Sequence, residues 1–73
     1  MDPYENAIKA NIEALTEVIG QLAAQSVEAT NEINKGNQNG AIGWMVEFEE
    51  LLSTAKSLYG AARALHRQAP SHR

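Results

Sequence analysis

Few side chains in this sequence are of a type that carries chemistry, and their spacing argues against catalysis. No Cys occurs among the 73 residues, which excludes thiol nucleophiles, zinc–thiolate sites and disulfides together. The remaining nucleophile candidates are Ser26, Ser53, Ser57 and Ser71, and no motif joins any of them to His66 or His72 as a base. Ser26 reads as a small residue in an apolar stripe, His66 as a last-turn helical residue and His72 as a tail residue. Two carboxylate pairs, Glu13/Glu17 and Glu28/Glu32, have the spacing that places both members on one helical face. A di-metal bundle would also need Glu-x-x-His motifs pointing inward, and the sequence has none. These pairs read as solvated faces. The sequence is that of a non-enzyme, with no catalytic residue, metal or cofactor expected.

Two stretches suggest binding instead. In Asn37-Gln38-Asn39-Gly40-Ala41-Ile42-Gly43-Trp44 the glycines permit close backbone approach, a helix start offers free N–H groups to an anion, and Trp44 offers a stacking surface. Asn37, Asn39, Gly40, Gly43 and Trp44 are therefore the candidate ligand residues. No phosphate-binding fingerprint is present, and the plainer reading is a tight turn with Trp44 closing the core against Ile33. Arg63, His66, Arg67, His72 and Arg73 form a basic C-terminal cluster, but no aromatic residue is interleaved with them as single-stranded nucleic acid would require. Residues 1–36 carry six acids and two bases, residues 37–73 three acids and four bases.

Composition narrows the class further. Hydrophobic residues make up 44%, aromatic residues 5%, and the formal net charge is −3. That is too apolar for a disordered segment, too weakly charged for a DNA-mimicking polyanion, and far from a basic nucleic-acid binder. The acidic start Met1-Asp2-Pro3-Tyr4-Glu5 does not resemble a signal peptide, and no apolar run is long enough to cross a bilayer. A cytoplasmic protein is expected.

The elements that must position these residues are helices. Asp2 suits an N-cap, Pro3 the first helical position, and Glu5 the return bond to the cap. Ile8, Ile12, Leu15, Ile19, Leu22, Ser26, Ala29 and Ile33 follow in steps of four and three, the heptad spacing of a helix packed along another. Gly36 and Lys35 suit the end of that helix, so the first helix is predicted over residues 3–35 and a loop over 36–40. Trp44, Phe48, Leu51, Ala55, Leu58, Ala62 and Leu65 repeat the spacing, with acids early and bases late as the helix dipole favours. This predicts one second helix over 41–68 and a frayed tail over 69–73.

Folding the chain back at the loop sets Ile33 opposite Trp44, Ala29 opposite Phe48, Ser26 opposite Leu51 and Leu22 opposite Ala55. Ile19 then faces Leu58, Leu15 faces Ala62 and Ile12 faces Leu65. Small residues repeatedly meet large ones, as an interdigitating core requires. The expected fold is an all-α antiparallel two-helix hairpin forming one domain over residues 1–73.

Such a hairpin is marginal alone. Met45, Leu52 and Tyr59 form a second apolar ridge on the second helix, and Val18 and Ala23 flank the seam on the first. Val18, Met45, Leu52 and Tyr59 are the expected oligomer interface, closing a dimeric four-helix bundle across a twofold axis. The alternative is a three-helix monomer in which the first helix breaks near Gly20 or Ser26. In topology alone, a hairpin that dimerises in this way resembles the Rop-type RNA-binding proteins of plasmid copy control. That resemblance implies an RNA-binding regulator, for which the acidic first helix offers a poor surface. The leading expectation is a homo-oligomeric adaptor or inhibitor that binds a partner protein. A small-ligand or nucleotide binder at residues 37–44 and the Rop-like regulator are the alternatives; nucleic acid is not the expected partner, and no membrane is.

Overall fold

The computed structural model describes residues 3–69, which are helical apart from short connections and contain no strand. The order is α1 (Pro3–Asn34), α2 (Gln38–Trp44) and α3 (Phe48–Gln68). The expected cap, Asp2, lies outside the described residues, as do His72, Arg73 and the tail from Pro70 onward.

α1 is unbroken over 32 residues, so the break expected by the three-helix alternative is absent at Gly20 and Ser26. The hydroxyls that compete with helical bonding are absorbed by the helix itself. Ser26 Oγ donates to the carbonyl of Ala23 at 2.9 Å, and Thr30 Oγ1 to that of Ser26 at 2.9 Å. The helix ends in a Schellman motif: the Gly36 amide donates to the Ile33 carbonyl at 3.0 Å and the Asn37 amide to the Glu32 carbonyl at 2.9 Å. Gly36 adopts φ +80°, a left-handed conformation that glycine reaches without steric cost.

The chain then restarts a helix at Gln38, three residues before the expected start. Asn37 is the reason. Its side-chain oxygen accepts from the Gly40 amide at 3.0 Å, an N-cap that turns most of the expected 36–40 loop into helix.

The predicted single helix over 41–68 is interrupted between α2 and α3. Across Met45–Glu47 the backbone makes i→i+3 bonds, from Met45 to Ile42, Val46 to Gly43 and Phe48 to Met45. The tightening falls on Ile42-Gly43-Trp44-Met45-Val46, a run containing a glycine, two β-branched residues and an aromatic, all weak helix formers. Ala69, expected in the frayed tail, is buried and donates to the carbonyls of Leu65 and His66.

α1 packs against both α2 and α3 in a molecule 54 Å long and 17 by 15 Å across. On α3 the half-buried residues are Phe48, Leu51, Ala55, Leu58, Ala62 and Leu65, joined by Ala64. The α3 stripe therefore falls where the heptad reading puts it. On α1 the stripe is Tyr4, Ile8, Asn11, Leu15, Val18, Leu22, Gln25, Ala29 and Glu32, with Ala7 and Ala14 beside it. Ile8, Leu15, Leu22 and Ala29 are shared with the expected seam, whereas Ile12, Ile19, Ser26 and Ile33 stand one position away and are exposed. Polar residues also take inner places, each with at least one bond, while Gln25 Oε1 is buried without a partner. Asn11 Nδ2 donates to the Ala7 carbonyl at 2.9 Å, Gln25 Nε2 to Glu47 Oε1 at 3.1 Å, and Glu32 Oε2 accepts from Asn37 Nδ2 at 2.7 Å. The Gln25–Glu47 bond departs from the expected pairing near the bend, where Gln25 would lie level with Leu52, whereas at the far end Leu15 and Ala62 line one hollow, as that pairing has them opposite.

Candidate interaction face

The burial pattern leaves the described residues without a closed core. Only Ala29, Ala41 and Ala69 are buried, at 5–7% exposure, and no large side chain is. Ile12, Ile19 and Ile33 on one side, with Met45, Leu52 and Tyr59 on the other, remain 40–54% exposed. Ile12, Ile19 and Ile33, at multiples of seven residues, form a line along α1 next to its half-buried stripe, and Leu52 and Tyr59 do so on α3, with Met45 seven residues earlier in the bend before it.

Two hollows show that the lines border a common face. Near one end, Ile12 and Leu15 share a hollow of 350 Å³ with Tyr59, Ala62, Arg63, His66 and Arg67. Near the other, Ser26, Ala29 and Ile33 share one of 370 Å³ with Ala41, Ile42 and Met45. A third hollow is polar, lined by Gln21, Gln25, Glu47, Glu50, Leu51 and Thr54. The paired helices thus have an apolar face and a polar one. Tyr59 is held on the apolar face by Arg63, whose guanidinium carbon lies 5.6 Å from the ring centroid.

Of the four residues expected at an oligomer interface, Met45, Leu52 and Tyr59 share this face, while Val18 is half-buried in the α1 stripe. Residue-type reasoning placed Ile12, Ile19 and Ile33 inside; their seven-residue spacing, matched by 45, 52 and 59, is the signal that separates them. The Arg63–Tyr59 pair, at i and i+4, was also legible in principle.

The 37–44 junction is occupied by its own side chains. Asn37 caps α2 from within, Glu32 lies against it, and a Cβ at Gly40 would overlap the Asn37 side chain and meet Glu32 Oε2 at 2.9 Å. A larger residue at position 40 would have to displace the Asn37 cap and the Glu32 carboxylate. The Glu32 carboxylate, paired with Lys35, thus lies beside Asn37 at the start of α2. Asn39 and Gly43 are exposed. Trp44 is 44% exposed and Ile33 is exposed too, which corrects the expectation that their contact closes the core. Trp44 is the last residue of α2, where the chain turns before α3 begins.

Ser53 and Ser57 are exposed, as are Glu13, Glu17 and Glu28, while Glu32 also pairs with Lys35 at 3.7 Å. Among the described residues no group of three or more His, Asp or Glu is placed to hold a metal ion. No described helix is long and apolar enough to cross a membrane. No protein-family model, curated protein or solved structure matches the chain.

Proposed function

We propose that the chain is an antiparallel helical hairpin that self-associates through its apolar face into a four-helix bundle, most simply a dimer. It acts in the cytoplasm as a non-enzymatic interaction module, an adaptor or inhibitor that binds a partner protein. The observation that carries this reading is the absence of any buried side chain larger than alanine among the described residues. Area supports it. The accessible surface is 5380 Å², whereas a folded monomer of 7.9 kDa exposes about 4,400 Å². The excess, roughly 1,000 Å², is comparable to the ~800 Å² that each partner contributes to a stable interface. Trp44 and Val46, exposed at the α2–α3 turn and outside the linings of the two apolar hollows, supply surface for a heterologous partner.

Sedimentation equilibrium at micromolar concentration tests the assembly. A particle of twice the 7.9 kDa chain mass, or larger, is expected. A stable helical monomer would overturn the reading.

A further inference from the structure

We infer that the copy covering the apolar face is seated head to tail, with its α2–α3 turn against the chain termini of the first copy. This rests on the self-association proposed above and adds its geometry.

Charge along the molecule is the first ground. The half next to the turn, residues 25–50, holds Glu28, Glu32, Glu47, Glu49 and Glu50 against Lys35. In the other half, residues 3–24 and 51–69, Glu5, Glu13 and Glu17 face Lys9, Lys56, Arg63 and Arg67. Placing two turn ends together would concentrate ten carboxylates against two ammonium groups. A head-to-tail arrangement sets each acidic end beside a balanced, slightly basic one.

The second ground is the spacing of the apolar lines. Reversing one copy while keeping the apolar faces together requires a twofold axis across the helices, which stacks α3 on α3 and α1 on α1. An axis beside Leu52 sets Leu52 against its own copy and Met45 against the partner's Tyr59. Taken from the Gln25–Glu47 bond, the axis crosses α1 near Gly20, five residues before Gln25 as Leu52 is five after Glu47, and lays the Ile12–Ile19–Ile33 line on its own copy. One axis thus covers both lines with their own kind.

The same axis has an electrostatic signature. Glu49 and Lys56 are exposed, lie seven residues apart, and border the Met45–Leu52–Tyr59 line. They are too far apart on α3 to pair within the helix. Across the axis Glu49 meets the partner's Lys56, twice per dimer. With the turn ends together, α3 would lie on α1, whose matching edge (Thr16, Ala23 and Thr30) is uncharged.

Two measurements test this on the full chain. A nitroxide attached at Gln38→Cys, in a sequence with no native Cys, reports the distance between turn ends by pulsed electron spin resonance. The inference expects a distance approaching the 54 Å molecular length; one below half that length overturns it. A monomeric mass, with no distance between copies, overturns the self-association beneath it as well. The second measurement is a charge exchange. Glu49→Lys and Lys56→Glu should each weaken dimerisation several-fold, and the double variant should return to within about twofold of the parent. Absence of rescue in a chain that still dimerises contradicts the head-to-tail seating.

Discussion

The two faces of the paired helices are built from the same two segments and differ in almost every respect. One carries Ile12, Ile19, Ile33, Met45, Leu52 and Tyr59, and the other Gln21, Gln25, Glu47, Glu50 and Thr54 around Leu51. A helix pair that only had to bury itself would need one stripe per helix and could leave both outer faces polar. Here each long helix carries its half-buried stripe plus an adjacent apolar line, the wide stripe of a helix with neighbours on two sides. Leaving such a face in water risks aggregation. The asymmetry between the faces, not the composition as a whole, points to a second layer.

Matched substitutions on the two faces probe that asymmetry most severely. Leu52→Lys should abolish dimerisation and cost about 3 kcal/mol or more, because it puts a charge at the centre of the apolar layer. Thr54→Lys, two residues away on the polar face, should change stability by no more than about 0.5 kcal/mol. Denaturant midpoints and sedimentation of both variants check this; equal effects would erase the distinction between the faces.

A smaller effect is expected from the seam shared by α1 and α3. Leu58→Ala removes a half-buried side chain and should cost about 2 kcal/mol, the low end for leucine truncation, since the site is not fully enclosed. Denaturant titration measures the change. Because Leu58 belongs to the inner stripe, the variant should unfold more readily while its dimer mass at low denaturant persists. Loss of the dimer without loss of stability would exchange the roles assigned to seam and face.

The α1–α2 connection sits lower on the scale. Gly36→Ala forces a Cβ into φ +80°, and Asn37→Ala removes the cap of α2; each should cost about 1 kcal/mol. Chemical denaturation checks both, and neither should change the mass of the assembly. Smallest of all, Trp44→Ala should lower stability by less than about 1 kcal/mol, since nearly half of the ring is exposed. Acrylamide should quench the fluorescence of this single Trp readily. Poor quenching would return Trp44 to the core position that residue spacing alone suggested.

How far the architecture was legible differs between the two long helices. On α3 the apolar residues adjoining the seam were themselves set in a heptad, so Phe48, Leu51, Ala55, Leu58, Ala62 and Leu65 could be separated from Met45, Leu52 and Tyr59 by counting. On α1 two heptads share Ile8, Leu15, Leu22 and Ala29. The choice between Asn11, Val18, Gln25 and Glu32 on one hand and Ile12, Ile19, Ser26 and Ile33 on the other cannot be made from hydropathy, which always prefers isoleucine. The inner polar residues are admitted by specific bonds to Ala7, Glu47 and Asn37, and Gln25 and Glu32 find theirs only once the chain has turned back. The bend at Met45–Glu47 was hidden for a similar reason. It lacks proline, and the weak helix formers around Gly43 are tolerated in many continuous helices. The earlier start of α2 was marked by Asn37, a strong N-cap type standing directly after the C-terminal glycine of α1.

The central claim is that the folded chain is completed by its own copy, and thermal unfolding measured as a function of protein concentration tests it most directly. An assembly that forms only from folded chains raises the melting temperature as concentration rises, because mass action stabilises whatever binds the native state alone. Over a hundredfold range of chain concentration the account predicts a steady rise in Tm and, towards the dilute end, loss of helical signal together with loss of the dimer. A sharp helix-to-coil transition at one fixed temperature throughout that range, from a particle with the mass of a single chain, would contradict it.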